Sequence, residues 1–206
     1  MAFNNETELS LESNLNSDIQ KVSGLTYIAD YISPEQQNQL LKIIDQQEWS
    51  IKANRRIQQY GYQYDYKNGS FVSSSYLGTL PDWVQSIANR LADDGLMPNI
   101  PDQVIVNEYQ PNQGIVSHID CTPCFGNTII TLSLGSACVM EFRHPQTQET
   151  ARILLQPRSL LIFQGEARYV WEHGILACEQ DNYQGREFDR TRRVSLTFRE
   201  VLFPYK

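Results

Sequence analysis

The sequence predicts a mostly β fold, a sandwich or jelly roll, with two supporting helices ahead of it. Two observations point there. From residue 101 onward, short β-type runs dominate and are separated by turn residues. Helical periodicity is confined to two stretches upstream of that point. The 206 residues, 41% hydrophobic and 20% charged, suffice for one globular domain with a sizeable core.

The elements follow in order. Residues 1–22 are rich in Asn, Glu, Ser and Asp and read as a disordered tail. No basic-then-apolar leader is visible there, and no apolar run approaches the roughly 18 residues needed to span a bilayer. A cytoplasmic protein with no membrane partner is expected. One structural domain then covers 23–206, with helices and a lid over 23–100 and the β core over 101–206.

Ser33-Pro34-Glu35-Gln36 reads as a capping box with Pro at the first helical position. Leu40, Leu41, Ile43 and Ile44 give that helix an apolar face. A second helix starts near Pro81, carries Val84, Ile87, Ala88 and Leu91 at helical spacing, and stops before Gly95. Between the helices lies an aromatic and basic segment, Lys52 to Tyr66. Tyr60, Tyr62, Tyr64 and Tyr66 alternate, so an extended chain puts them on one side. From this segment alone, a half-buried hairpin with tyrosines packed on the core is the favoured reading. Downstream, Gln103–Tyr109, Thr128–Leu134, Cys138–Phe142, Arg152–Leu155, Ser159–Phe163 and Val194–Val201 read as strands.

The net charge of −7 argues against coating nucleic acid by bulk attraction, while leaving room for a local basic patch. Cys121, Cys124, Cys138 and Cys178 are expected to be reduced thiols. Cys121-Thr-Pro-Cys124 lacks the second pair that would complete a zinc site, and reads as structural.

His118-Ile119-Asp120 follows an apolar run, and strand geometry would put its imidazole and carboxylate on one face. His173 ends another apolar stretch, Tyr169–Gly174. Two histidines and one carboxylate leave three positions of an ion open, which suits non-haem iron(II) binding a cosubstrate and oxygen together. A pair of surface histidines beside turns is the bland alternative. His144 precedes Pro145 in a polar turn and is left out of the site.

The last strand alternates Arg193, Ser195, Thr197 and Arg199 with Val194, Leu196 and Phe198. Arginines on an inward face need an anion. A guanidinium pairs with a carboxylate through two parallel hydrogen bonds, and 2-oxoglutarate offers such a carboxylate beside a keto-acid end that chelates iron. Asn107 and Tyr109 offer an amide and a phenol two residues apart. An outward polar face with a surface ion pair fits the alternation too.

Together the pieces resemble the AlkB family of iron(II)- and 2-oxoglutarate-dependent dioxygenases. The matching motifs are Asn107-Glu-Tyr109, Gln113-Gly114-Ile115, His118-Ile-Asp120, Leu132-Ser-Leu-Gly135, Gly165-Glu-Ala-Arg168, His173-Gly174-Ile175 and Arg193-x5-Arg199, in family order. The resemblance implies a double-stranded β-helix, which is a jelly roll, with a lid over 52–80. It implies iron(II) on His118, Asp120 and His173, and 2-oxoglutarate held by Asn107, Tyr109, Arg193 and Arg199, with Ser195 beside them. Arg55-Arg56-x3-Tyr60-Gly61-Tyr62 looks like the branch containing the animal tRNA-wobble hydroxylase. Two departures from the DNA-repair members are present. Thr122 stands where they carry a second carboxylate, and Ser195 where they tend to carry Asn.

The expected reaction is oxygen-dependent hydroxylation of a nucleobase or its substituent. tRNA, or alkylated RNA or DNA, is the expected partner, acted on by a monomer. Tyr60 and Tyr62 are the candidates to stack on a flipped base, and Arg55 and Arg56 to contact phosphate. Thr122, Arg143 and Arg168 are further substrate candidates on the core; Arg168 could instead satisfy a buried partner. Two other readings stay open: an oxygenase acting on protein, and a jelly-roll binding module without activity.

Overall fold

In the computed structural model, residues 15–52, 54–64 and 75–202 are described. In chain order they form β1 (Leu25–Ile28), α1 (Pro34–Asp45), β2 (Ser50–Lys52), β3 (Arg55–Tyr60) and α2 (Asp82–Asp93). There follow β4 (Gln103–Tyr109), β5 (Ile115–His118), β6 (Phe125–Gly135), β7 (Cys138–Arg143), β8 (Thr150–Leu155) and β9 (Leu160–Phe163). The chain ends with α3 (Gly165–Tyr169), β10 (Glu172–Ile175), β11 (Gln180–Tyr183), β12 (Arg186–Asp189) and β13 (Arg193–Val201).

The strands build a seven-stranded sheet, ordered β1-β9-β6-β13-β4-β3-β2, and a four-stranded sheet, β5-β10-β7-β8. β11 and β12 form a separate hairpin. The paired strands run antiparallel, and the two larger sheets face each other across an apolar core. Ile129, Leu161 and Phe163 of one sheet meet Met140, Phe142, Ile153 and Leu155 of the other. This is the jelly roll that the strand pattern predicts.

The second face of the large sheet is covered by the two helices. Leu40 and Ile44 of α1 and Val84, Ile87, Ala88 and Leu91 of α2 pack on Val104, Val106, Leu132, Val194, Leu196 and Phe198. The capping box of α1 forms as expected: Gln36 N donates to Ser33 Oγ at 3.2 Å and Ser33 N to Gln36 Oε1 at 2.9 Å. The alternation along β13 is therefore read by two environments. Val194, Leu196 and Phe198 serve the helix-side core, and Arg193, Ser195, Thr197 and Arg199 turn to the space between the sheets.

Three expectations need correction. β1 is absent from the expected strands, yet it pairs with β9; the hairpin reading of the 52–66 segment holds for β2 and β3, which pair with each other, but β3 also pairs with β4. The part before residue 101 thus contributes to the large sheet as well as to its helical cover. The tail reading runs too far: residues 15–21 are helical, and Leu15 and Ile19 pack on the inter-sheet core. The stretch Tyr169–Gly174 is not one strand, because α3 ends at Tyr169 and β10 begins at Glu172. Among the described residues no helix is long and apolar enough to cross a membrane.

Candidate metal and cosubstrate site

The site is built where β5 pairs with β10, with His173 directly opposite His118. The two imidazole rings lie 4.6 Å apart, centroid to centroid. Gly174 permits this approach: a Cβ there would stand 2.9 Å from both the Ile115 carbonyl oxygen and the Ser117 amide nitrogen. His118 is the last residue of β5, and Asp120 lies just past the strand end. Asp120 Oδ1 is 4.0 Å from His118 Nε2. His118 Nδ1 is 2.8 Å from the Val116 carbonyl oxygen, which fixes the proton there and leaves the Nε2 lone pair on the carboxylate side.

His173 is buried, walled by Phe163 at 4.8 Å and Phe142 at 5.9 Å, and its Nδ1 has no hydrogen-bond partner. Burial, reinforced by His118 beside it, pushes its pKa down to about 3, so the ring is neutral. Burial works against the charge of Asp120, but the Arg199 guanidinium beside it outweighs burial and holds the carboxyl below its usual range. Two imidazoles and an ionised carboxylate are the donor set that iron(II) takes. Among the described residues, however, no three such side chains close into a coordination shell. The carboxylate is turned toward Arg199, whose Nη2 donates to Asp120 Oδ1 at 2.8 Å. The residues fit the ion by type and position, with Asp120 Oδ1 held at the end of β5 on the side of His118 Nε2.

Next to this cluster lies a guanidinium without a counter-ion. Arg193 is 2% exposed, donates Nη2 to Ser133 Oγ at 2.9 Å, and leaves Nε without a partner. It forms no ion pair among the described residues. Its guanidinium carbon lies 5.3 Å from the centre of the Tyr109 ring, and Arg193 faces Tyr109 across the β13–β4 ladder. Two register steps on, Ser195 faces Asn107. A buried cation with so few partners is costly unless an anion joins it. The dicarboxylate 2-oxoglutarate fits that requirement.

Arg55, expected at phosphate, is in fact buried beside this pocket. It donates Nε to Asn107 Oδ1 at 3.0 Å and sits 5.5 Å from the Tyr109 ring. Arg56, its neighbour in the strand, takes the other face and pairs with the buried Glu108 at 2.5 and 2.6 Å. Arg192 binds the same Glu108 at 2.6 Å and continues to Asp45. Arg56 nevertheless keeps an exposed side chain while making this pair.

The shared side expected for the tyrosines ends at Gly61. That residue has φ +76°, and a Cβ on it would fall 1.8 Å from the Asp102 carbonyl oxygen. The chain turns there. Tyr60 stays on the helix side, edge-on to Trp83 at 5.4 Å, which corrects its stacking role. Tyr62 packs on Tyr76 at 5.0 Å. Tyr64 lies 5.7 Å from Phe125 and lines the main cleft. Tyr66 and residues 65–74 of the expected lid lie outside the described residues.

The cleft has a volume of about 960 Å³ and reaches His118, Asp120, Asn107 and Arg199. Tyr109 and Arg193 stand behind it, around a small void of about 10 Å³. Arg143 reaches the cleft from an exposed position and donates to Gln148. Thr122 is exposed on the loop after Asp120. Arg168 is not a substrate contact: it is 2% exposed and donates to the carbonyls of Asp120 at 2.9 Å and Cys121 at 3.0 Å. Cys121 and Cys124 are joined in a disulfide, which corrects the expectation of four reduced thiols; Cys138 and Cys178 are free. Ser133 and Phe125 were missed by the sequence reading. Ser133 carries a signal, a hydroxyl inside an apolar run, whereas Phe125 looks like any core residue.

The profile of the 2OG-Fe(II) oxygenase superfamily matches residues 24–199. An uncharacterized protein of Acanthamoeba polyphaga mimivirus is 37% identical over 185 residues, covering 88% of this chain and 86% of that one. The tRNA (carboxymethyluridine(34)-5-O)-methyltransferase alkbh8 of Xenopus tropicalis is 36% identical over 202 residues, covering 86% of this chain. This chain spans about a third of the frog protein's length, 32%. Among solved structures, that of OsALKBH1 superposes with a TM-score of 0.64 at 16% identity, covering 86% of this chain and 96% of its own. At that identity the likeness speaks for the fold alone.

Proposed function

We propose that this chain, which belongs to the 2OG-Fe(II) oxygenase superfamily, is a dioxygenase that hydroxylates a carbon carried by a nucleobase in tRNA or in alkylated RNA or DNA. The observation that carries the reading is the buried Arg193, without a carboxylate partner, on the same strand as the Arg199 that bonds Asp120 and sharing a small void with Ile175, two residues past His173.

Iron(II), 2-oxoglutarate and oxygen together supply the oxidation of a C–H bond to an alcohol, with succinate and carbon dioxide as by-products. His118, Asp120 and His173 would hold the ion. Arg193, with Tyr109 and Ser133 around it, would receive the distal carboxylate, and Arg55 would add positive charge from its station on Asn107. Arg199 keeps Asp120 ionised and aimed. Phe142 and Phe163 keep water from His173.

A base has to leave its stack to enter such a cleft. Tyr64 takes over from Tyr60 and Tyr62 as the stacking candidate, because it lines the cleft. Arg143 at the rim is the candidate for phosphate. The frog relative is named for action on a tRNA uridine, and this supports a nucleic-acid substrate here. A hydroxylated side-chain carbon would persist as an alcohol; a hydroxylated N-methyl carbon would leave as formaldehyde.

The test is succinate production with tRNA, with N-methylated RNA and DNA oligonucleotides, and with methylated peptides, followed by mass spectrometry of the target. Substrate-dependent succinate with a modified nucleoside supports the proposal. Turnover on peptides alone would replace it with a protein-directed oxygenase.

A further inference from the structure

The loop that carries Asp120 is closed by a feature that iron and 2-oxoglutarate binding do not require. Cys121 follows Asp120 directly and is bridged to Cys124 across the exposed Thr122-Pro123 turn, with the two Cα atoms 5.3 Å apart. Cys124 is 7% exposed and Phe125, where β6 starts, is 1% exposed, so this end of the loop is anchored in the inter-sheet core. The bridge passes that anchoring to the residue next to Asp120. Two arginines frame the same stretch: Arg168 holds the Asp120 and Cys121 carbonyls, and Arg199 lies 4.6 Å over the Phe125 ring while bonding the Asp120 carboxylate.

We propose that Cys121 and Cys124 are a thiol–disulfide exchange site, and that closing the bridge tightens the presentation of Asp120 and so raises the metal affinity of the site. The inference rests on the iron-site reading given above. Cys121 is the more accessible sulfur, so its thiolate attacks a small-molecule disulfide and releases one thiol. The Cys124 thiolate then attacks Cys121 of the mixed disulfide and releases the second thiol. Overall the protein loses two electrons and two protons, and the external disulfide becomes two thiols. Opening the bridge frees the Thr122-Pro123 turn, while Arg168 still holds the backbone. The effect is therefore graded rather than all-or-none.

The test uses the full chain and manganese(II) as the metal, with free ion measured by electron paramagnetic resonance. One sample is treated with glutathione disulfide, the other with dithiothreitol and desalted anaerobically; alkylation and mass spectrometry count the thiols. The oxidised protein is expected to bind manganese roughly 10-fold more tightly, the scale of an outer-shell change around a metal. A Cys121→Ser, Cys124→Ser double variant is expected to bind as the reduced protein does and to ignore glutathione disulfide. Equal affinity in two samples whose Cys121 and Cys124 differ in alkylation overturns the proposal, as does a pair that never oxidises. Manganese binding to neither sample overturns the iron-site reading itself, an outcome distinct from equal binding.

Discussion

Arg199 donates Nη2 to Asp120 Oδ1 at 2.8 Å, so the guanidinium and the candidate metal-ligating carboxylate form one unit. Both side chains are largely shielded from water, at 10% and 14% exposure. Arg199→Gln leaves the carboxylate without its strongest partner. The variant is expected to bind manganese(II) about 10-fold more weakly and to lose about 3 kcal/mol of stability, checked by metal titration and urea denaturation.

Gly174 sets the distance between the two histidine strands. Gly174→Ala forces β5 away from β10, because the new methyl would sit 2.9 Å from backbone atoms of Ile115 and Ser117. Metal affinity is expected to fall by about 10-fold, since His118 moves with β5. Unchanged affinity in a folded variant would show that the strand spacing does not govern the site.

Glu108 ties β4 to Arg56 and Arg192. Burial raises its pKa, but the two guanidiniums outweigh burial and the net shift is downward. The folded value thus lies below the ordinary 4.5. The contribution of Glu108 to stability is complete above that ordinary value and is lost as pH falls through the lower folded one. Glu108→Gln is expected to cost about 2 kcal/mol at neutral pH, discounted from a fully buried pair because both arginines reach solvent. Denaturation curves across this acid range should show wild type and variant converging as pH drops.

Tyr60 and Tyr64 are expected to separate cleanly. Tyr60→Ala removes a ring packed on Trp83 and should cost about 2 kcal/mol of stability without altering the KM for nucleic acid. Tyr64→Ala should raise the KM for nucleic acid about 10-fold, the loss of one base stack, and leave the KM for 2-oxoglutarate unchanged. Steady-state kinetics with each substrate varied in turn checks both.

The legible parts of the site were those with a strict period. Along β13 the two-residue alternation tells which side chains leave the helix-side apolar core, and the structure decides the alternative it leaves open by burying Arg193 and Arg199. His118 and His173 were legible as donors, but only strand pairing, made close by Gly174, brings them together. Alternation failed at the tyrosines because Gly61 turns the chain after Tyr60. It failed at Arg55 and Arg56 because adjacent strand residues face opposite ways, one to Asn107 and the other to Glu108. Which of the pair would be inward depends on a partner strand far away in sequence. The bridge between Cys121 and Cys124 lay equally out of reach, since spacing alone does not report oxidation state.

The central claim is that Arg193 awaits the carboxylate of 2-oxoglutarate beside the histidine pair. Anaerobic titration of the iron(II)-loaded protein with 2-oxoglutarate, followed by visible absorption, tests it most directly. Wild type is expected to bind at low concentration, and Arg193→Gln about 100-fold more weakly, the loss of roughly 3 kcal/mol on removing one partner of a buried charge pair. Equal affinity in the folded variant would contradict the account.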